Sequence, residues 1–172
     1  MPGVRSFTDL VCWQRARQWS KDIFQLTQKH PFVKDERLVR QINDSTESVM
    51  ANIAEGFGRG TQEEFINFLG YSIGSLDETQ SHLCAAYDRE HIGKDTFAGL
   101  WSEGIEIRKL TVAFIRSMIL PRGGVRTLAK PKSWSSHTWE IYERVTGQPR
   151  PAMFAETEPE NAPTPRNDAP PT

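Results

Sequence analysis

Apolar residues recur along most of this chain at spacings of three and four, the period of helices that bury one face. Leu10, Trp13, Ala16, Ile23, Phe24 and Leu26 give the first such face, with Thr8 or Asp9 as the expected N-cap and Pro31 as the stop. A polar stripe of Gln14, Arg17, Lys21, Gln25 and Gln28 runs along another face of that helix. Leu38, Ile42, Ser45, Val49 and Ile53 mark a second helix over about 35–55. The third is the longest, about 62–90, with a seam of Phe65, Leu69, Ser72, Leu76, Thr79, Leu83 and Ala86 repeating at alternating fours and threes. Phe97, Leu100, Ile107, Leu110, Phe114 and Met118 give the fourth, about 95–120, capped by Asp95 or Thr96 and stopped by Pro121. No strand-period segment competes within 7–120. The expected fold is all-α: an antiparallel up-down-up-down four-helix bundle over 1–120, followed by a largely disordered tail over 121–172.

The second and third helices meet in the stretch Asn52-Ile53-Ala54-Glu55-Gly56-Phe57-Gly58-Arg59-Gly60-Thr61-Gln62-Glu63-Glu64-Phe65. Gly56 is the expected left-handed residue that ends one helix. Thr61 and Glu64 form the capping-box spacing that starts the next. Asn52 is expected to bond backbone across this turn. Glu55 is placed near the N-terminus of the third helix, where free N–H groups attract a carboxylate, and Arg59 either pairs with Glu55 or faces an outside anion. Gly70, Gly74 and Ser75 inside the third helix mark close approach of another helix, because an interior glycine costs about 1 kcal/mol relative to alanine.

Charge nearly cancels overall, with 21 basic against 22 acidic residues, so the body carries no strong positive field. The distribution is uneven. Residues 121–150 hold six Lys/Arg and two Asp/Glu, and 151–172 hold one and four, so a basic connector precedes an acidic, proline-rich tail. Cys12 and Cys84 have neither disulfide nor zinc spacing and read as small buried hydrophobes. No apolar run reaches the ~20 residues that span a bilayer, and no signal-peptide pattern opens the chain. The expectation is a cytoplasmic protein with no membrane contact.

No nucleophile–base pair is visible, the histidines are scattered, and Glu78 with His82 lacks further ligands, so neither catalysis, metal nor cofactor is expected. The candidate chemistry is electrostatic. Arg37 and Arg40 stand near a helix start, where the dipole does not favour cations, so an external anion is one reason for them; solvation is the other. In the connector, Arg122, Arg126, Lys130 and Lys132 flank Trp134, Trp139, Ile141 and Tyr142. Three readings of that aromatic group stand: a short helix over about 137–145 docked on its own bundle, an anchor for a protein partner, or rings that stack on bases beside the cations.

Phe7-x-Asp9-Leu10-x-x-Trp13-Gln14-x-Ala16, then Asn52-Ile53-Ala54-Glu55-Gly56-x-Gly58-Arg59, Glu64-Phe65-x-x-Phe68-Leu69 and Gly74-Ser75-Leu76-x-Glu78 together resemble the bacterial four-helix bundle proteins encoded in intervening sequences of 23S ribosomal RNA genes. The fold is also similar to the accessory protein of diversity-generating retroelements. The resemblance covers about 7–120 and implies a barrel-shaped homopentamer with a nucleic-acid role and no enzymatic activity. One departure bears on that role. Family members carry basic residues just before the Ser-Val/Ile-x-x-Asn-Ile block, where this chain has Asn43-Asp44-Ser45. The two functions expected are therefore a homo-oligomeric accessory protein binding RNA or DNA through Arg37, Arg40, Arg59 and the 122–132 cations, or an interaction scaffold whose 134–142 segment recruits a protein through Trp134, Trp139 and Tyr142.

Overall fold

The computed structural model describes residues 4–119 and 135–149. Five α-helices make up the described chain: α1 Val11–Thr27, α2 Glu36–Gly58, α3 Gln62–Asp88, α4 Lys94–Ile119 and α5 Ser136–Thr146, with short 3-10 turns at Phe7–Asp9 and Phe32–Lys34. No strand occurs among the described residues.

Side-chain pairs set the topology. Ser72 Oγ donates to Val49 O at 2.8 Å and Thr79 Oγ1 to Ser45 Oγ at 2.9 Å, so α3 returns antiparallel along α2. Gln62 Nε2 meets Met118 O at one end and Gln80 Nε2 meets Trp101 O further along, so α4 returns along α3. Trp19 Nε1 donates to Leu100 O at 3.0 Å and Arg15 pairs with Glu103, which closes α4 against α1. The first four helices thus form the expected up-down-up-down bundle, with α1 diagonal to α3.

The heptad seam holds throughout. All seven seam residues of α3 and all five of α2 are buried. Their hydroxyls cost little, because each bonds a carbonyl or another hydroxyl: Ser45 and Thr46 donate to Ile42 O, and Thr79 also bonds Ser75 O. In α1 the buried aromatics are Trp13 and Trp19, the latter fully enclosed, whereas Phe24 is 52 % exposed instead of facing the core. In α4, Thr111 and Ile115 join Ile107 and Met118 in the interior.

Several helix ends differ from expectation. Ser6, not Thr8 or Asp9, makes the N-terminal capping box, and it caps the 3-10 turn; α1 starts after Leu10 with no side-chain cap. α2 runs past Gly56 to Gly58, and the left-handed residue is Gly60, with φ +81°. Gly56 is helical and buried; a Cβ there would stand 2.6 Å from Phe68 Cβ, so its role is close packing against α3. Thr61 Oγ1 caps Glu64 N at 3.2 Å as expected, but the return bond runs from the Thr61 hydroxyl to the Glu64 carboxylate. α4 begins at Lys94, so Asp95 sits inside its first turn, and Glu90, at φ +58°, takes a left-handed conformation just before it.

α5 packs on α3 and α4. Ser135 caps it through Thr138 N, and Gly147 ends it in the left-handed conformation at φ +64°. Ile141 lies directly on the bare Cα of Gly70, which explains that glycine; Gly74 is exposed with open space around it and marks no contact.

Candidate nucleic-acid interface

The antiparallel topology brings the α1–α2 and α3–α4 connections to one pole. Asp35 joins them. As N-cap of α2 it accepts from Leu38 N, and its Oδ2 accepts from Arg89 Nη1 at 2.6 Å and from His91 Nε2 at 3.0 Å. A carboxylate oxygen only accepts, so Nε2 carries the hydrogen. The Arg89 and His91 bonds hold the Asp35 carboxyl at about 2. The His91 ring stacks on buried Phe32 at 5.1 Å, fixing the two connections against each other.

Around this rigid joint lie exposed cations. Arg37 and Arg40 sit one turn apart in the first turns of α2, opposite the buried Leu38 and Ile42, and Lys29 and Lys34 flank them in the connection. None of these four has an ion-pair partner among the described residues. Arg15, Arg59, Arg89 and Arg108, by contrast, are each bound to a carboxylate.

Arg59 belongs to the other pole. It pairs with Glu55 one turn back and lies 4.9 Å over the Phe68 ring, so it holds the α2–α3 turn. Glu55 therefore serves Arg59 and not the start of α3. Asn52 Nδ2 points across to Ser75 Oγ at 3.4 Å, inside the α2–α3 interface rather than at the turn backbone. The 22 residues between Arg37 and Arg59 put them about 33 Å apart along α2. The three arginines singled out by sequence do not form one patch. Arg122, Arg126, Lys130, Lys132 and Trp134 lie outside the described residues.

At the same pole as Arg59, Glu63 accepts from Ser135 N at 2.6 Å and Thr138 Oγ1 at 3.0 Å. Burial pushes the Glu63 carboxyl up, but these bonds outweigh it and leave it lowered. Trp139 and Tyr142 are buried against the bundle at 3 % and 1 % exposure, their rings edge-to-face at 5.7 Å. They are thus not displayed as a surface for a partner; the self-docked arrangement is the one observed.

The groove between α1 and α4 is lined by Gln14, Gln18, Asp22, Asp95 and Thr96, with the Arg15–Glu103 pair across it at 2.7 and 2.5 Å. Among the described residues no group of three His, Cys, Asp or Glu could hold a metal ion, and no helix is long and apolar enough to cross a membrane. Cys12 is buried, which raises its thiol above the ordinary range.

The model of the family described as 23S rRNA-intervening sequence protein matches residues 8–113. Among solved structures, a protein of unknown function from the S23 ribosomal protein family of Bacteroides thetaiotaomicron is similar, with 22% sequence identity and a TM-score of 0.54. That similarity covers 62% of this chain and 99% of the other, and it shows a shared fold. No curated protein matches the chain.

Proposed function

This chain belongs to the 23S rRNA-intervening sequence protein family, and from that membership we propose that it is a non-enzymatic, self-associating accessory protein that binds structured RNA at the α1–α2 pole. The observation that carries the reading is that Arg37 and Arg40 are exposed and unpaired on a rigid joint, whereas Arg15, Arg59, Arg89 and Arg108 are committed to carboxylates. A guanidinium that neutralises no internal charge is free to take a phosphate in its bidentate fork. Lys29 and Lys34 widen the same surface. Arg59 is a structural residue of the turn in this reading, and the 122–132 cations add to the positive field from the connector.

Self-association is supported by large apolar residues left on opposite faces: Val11 at 56 % and Phe24 at 52 % exposure on α1, Tyr71 at 47 % on α3. Unlike faces meeting head to tail close into a ring or extend as a filament. A ring, pentameric by the family resemblance, would repeat the Arg37/Arg40 pair around its axis and raise avidity for one RNA. Burial of Trp139 and Tyr142 counts against the scaffold alternative.

The test is anisotropy of a labelled structured RNA titrated at low and at physiological salt, with the wild type beside an Arg37→Glu/Arg40→Glu variant. Saturable, salt-sensitive binding that the variant loses is expected. Absence of binding at low salt overturns the proposal, and monomeric behaviour at micromolar concentration by light scattering overturns the self-association.

A further inference from the structure

Two unlike patches lie on opposite sides of the bundle near the α1–α2 pole. On the α3–α4 side, Tyr87 stacks on Phe97 at 5.0 Å, and Phe97 leans on Trp101 at 5.5 Å. Ile105 stands one turn beyond Trp101 and is 37 % exposed, and Tyr87 is 40 % exposed. The Arg108–Asp77 pair bridges α3 and α4 between this row and α5. Asp88 and Glu90 follow Tyr87, both exposed. On the α1–α2 side, half-exposed Phe24 lies on the edge of α1 that borders α2, because Thr27, three residues on, takes a bond from Asn43. Lys21 precedes Phe24 by one turn and Lys29 comes just past the helix end, both exposed. None of these four charged side chains has an ion-pair partner among the described residues.

We propose that the Tyr87–Phe97–Trp101 row is the seat of Phe24 from a second copy of this chain, with Lys21 and Lys29 of that copy set against Asp88 and Glu90. This contact rests on the self-association proposed above, whose faces it names, and is independent of RNA.

The two patches stand at one height. Trp19 on Leu100 and Arg15 on Glu103 fix the register of α1 against α4. Phe24, past Trp19 on α1, therefore comes level with the first turn of α4, where Phe97 stacks on Tyr87. In the cyclic order α1, α2, α3, α4 the α1–α2 and α3–α4 sides face opposite ways. Copies related by rotation about an axis parallel to the helices keep their heights, so Phe24 of one copy meets the row of the next without a shift along the bundle.

The chemistry of the two sides matches as well. A phenyl ring fits exposed aromatic faces and edges, which gain from a further ring beyond the area that they bury. Charge then sets the orientation. Cations flank Phe24 and carboxylates flank Tyr87, so unlike sides attract. Two Phe24 sides, or two aromatic rows, would bring like charges together. The arrangement selects a head-to-tail contact over a back-to-back one.

Light scattering across a dilution series tests this on the full chain, on Phe24→Asp, on Lys21→Glu/Lys29→Glu, on Asp88→Lys/Glu90→Lys, and on the chain that combines both charge reversals. All five positions are exposed, and far-UV circular dichroism with thermal melting checks that each variant keeps the bundle. Phe24→Asp and each one-sided reversal should raise the concentration at which the assembly half-dissociates by about tenfold or more. The combined reversal, which restores opposite charges across the contact, should recover most of that loss. An assembled wild type whose one-sided reversals leave the midpoint unchanged, or whose combined reversal brings no recovery, overturns this contact and leaves self-association standing. A monomeric wild type overturns both.

Discussion

Ile141 rests on Gly70 at a distance that leaves no room for a side chain at that position. A single missing methyl on α3 is what admits the fifth helix. Gly70→Ala should therefore expel α5 while leaving the four-helix bundle intact, because alanine is also better in a helix interior by about 1 kcal/mol. Limited proteolysis should cut between α4 and Gly147 faster in the variant, with the main thermal transition kept or raised. Unchanged proteolysis would mean that α3 and α5 slide apart at no cost.

Glu63 fastens the other end of that helix. Its carboxyl is lowered by the bonds from Ser135 and Thr138, so its contribution is present above the ordinary carboxylate range and fades as pH falls below it. Acidification should loosen α5 ahead of the bundle, and Glu63→Ala should bring the same loosening at neutral pH. Hydrogen exchange over 136–146 against that over α2 reads the difference.

Gly56 and Gly58 should respond oppositely to alanine. At Gly56 the new methyl meets Phe68 Cβ and, at 2.9 Å, the Phe65 ring; at Gly58, the last residue of α2, nothing lies within 4 Å. Overpacking costs about 1–3 kcal/mol, so Gly56→Ala should lower the melting temperature by several degrees. Gly58→Ala should be neutral or stabilise by up to about 1 kcal/mol. Equal effects would sink the packing role assigned to Gly56.

Asp35 should dominate the acid limb of stability at its pole. Its carboxyl, held at about 2 by Arg89 and His91, favours the folded state fully above the unfolded value and loses that contribution as pH falls from about 4 through about 2. Asp35→Asn keeps a good N-cap but removes the charge. Because Arg89 is half exposed, the loss at neutral pH should be only about 1 kcal/mol, and it should vanish near pH 2 in denaturant titrations.

The two arginine positions separate RNA binding from turn structure. Arg37→Glu/Arg40→Glu should abolish low-salt binding of structured RNA and leave the melting temperature within about 1 °C, as exposed unpaired charges do. Single Ala variants should reduce the salt slope by about one each. Arg59→Ala should instead lower stability, through loss of the Glu55 pair and the Phe68 contact, with little change in RNA affinity.

Much of this architecture was legible in the residue pattern, because a helix that buries one face must repeat its apolar residues at the helical period. The α2 and α3 seams, from Leu38 to Ile53 and from Phe65 to Ala86, are local facts of spacing, and so is the Thr61 cap. What the sequence could not decide were pairings between distant segments. Three glycines crowd five residues there, and the local pattern put the left-handed position at Gly56; the approach of Phe68 from α3 gives Gly56 a packing role instead, and Gly60 takes the left-handed turn. Asp35 reads as a helix cap on its own; Arg89 and His91, more than 50 residues away, make it the joint of a pole. Arg37, Arg40 and Arg59 read as one set of cations until α2 separates them by its length. Trp139 and Tyr142 are apolar enough to dock anywhere, and it was the surface around Gly70, shaped jointly by α3 and α4, that received them.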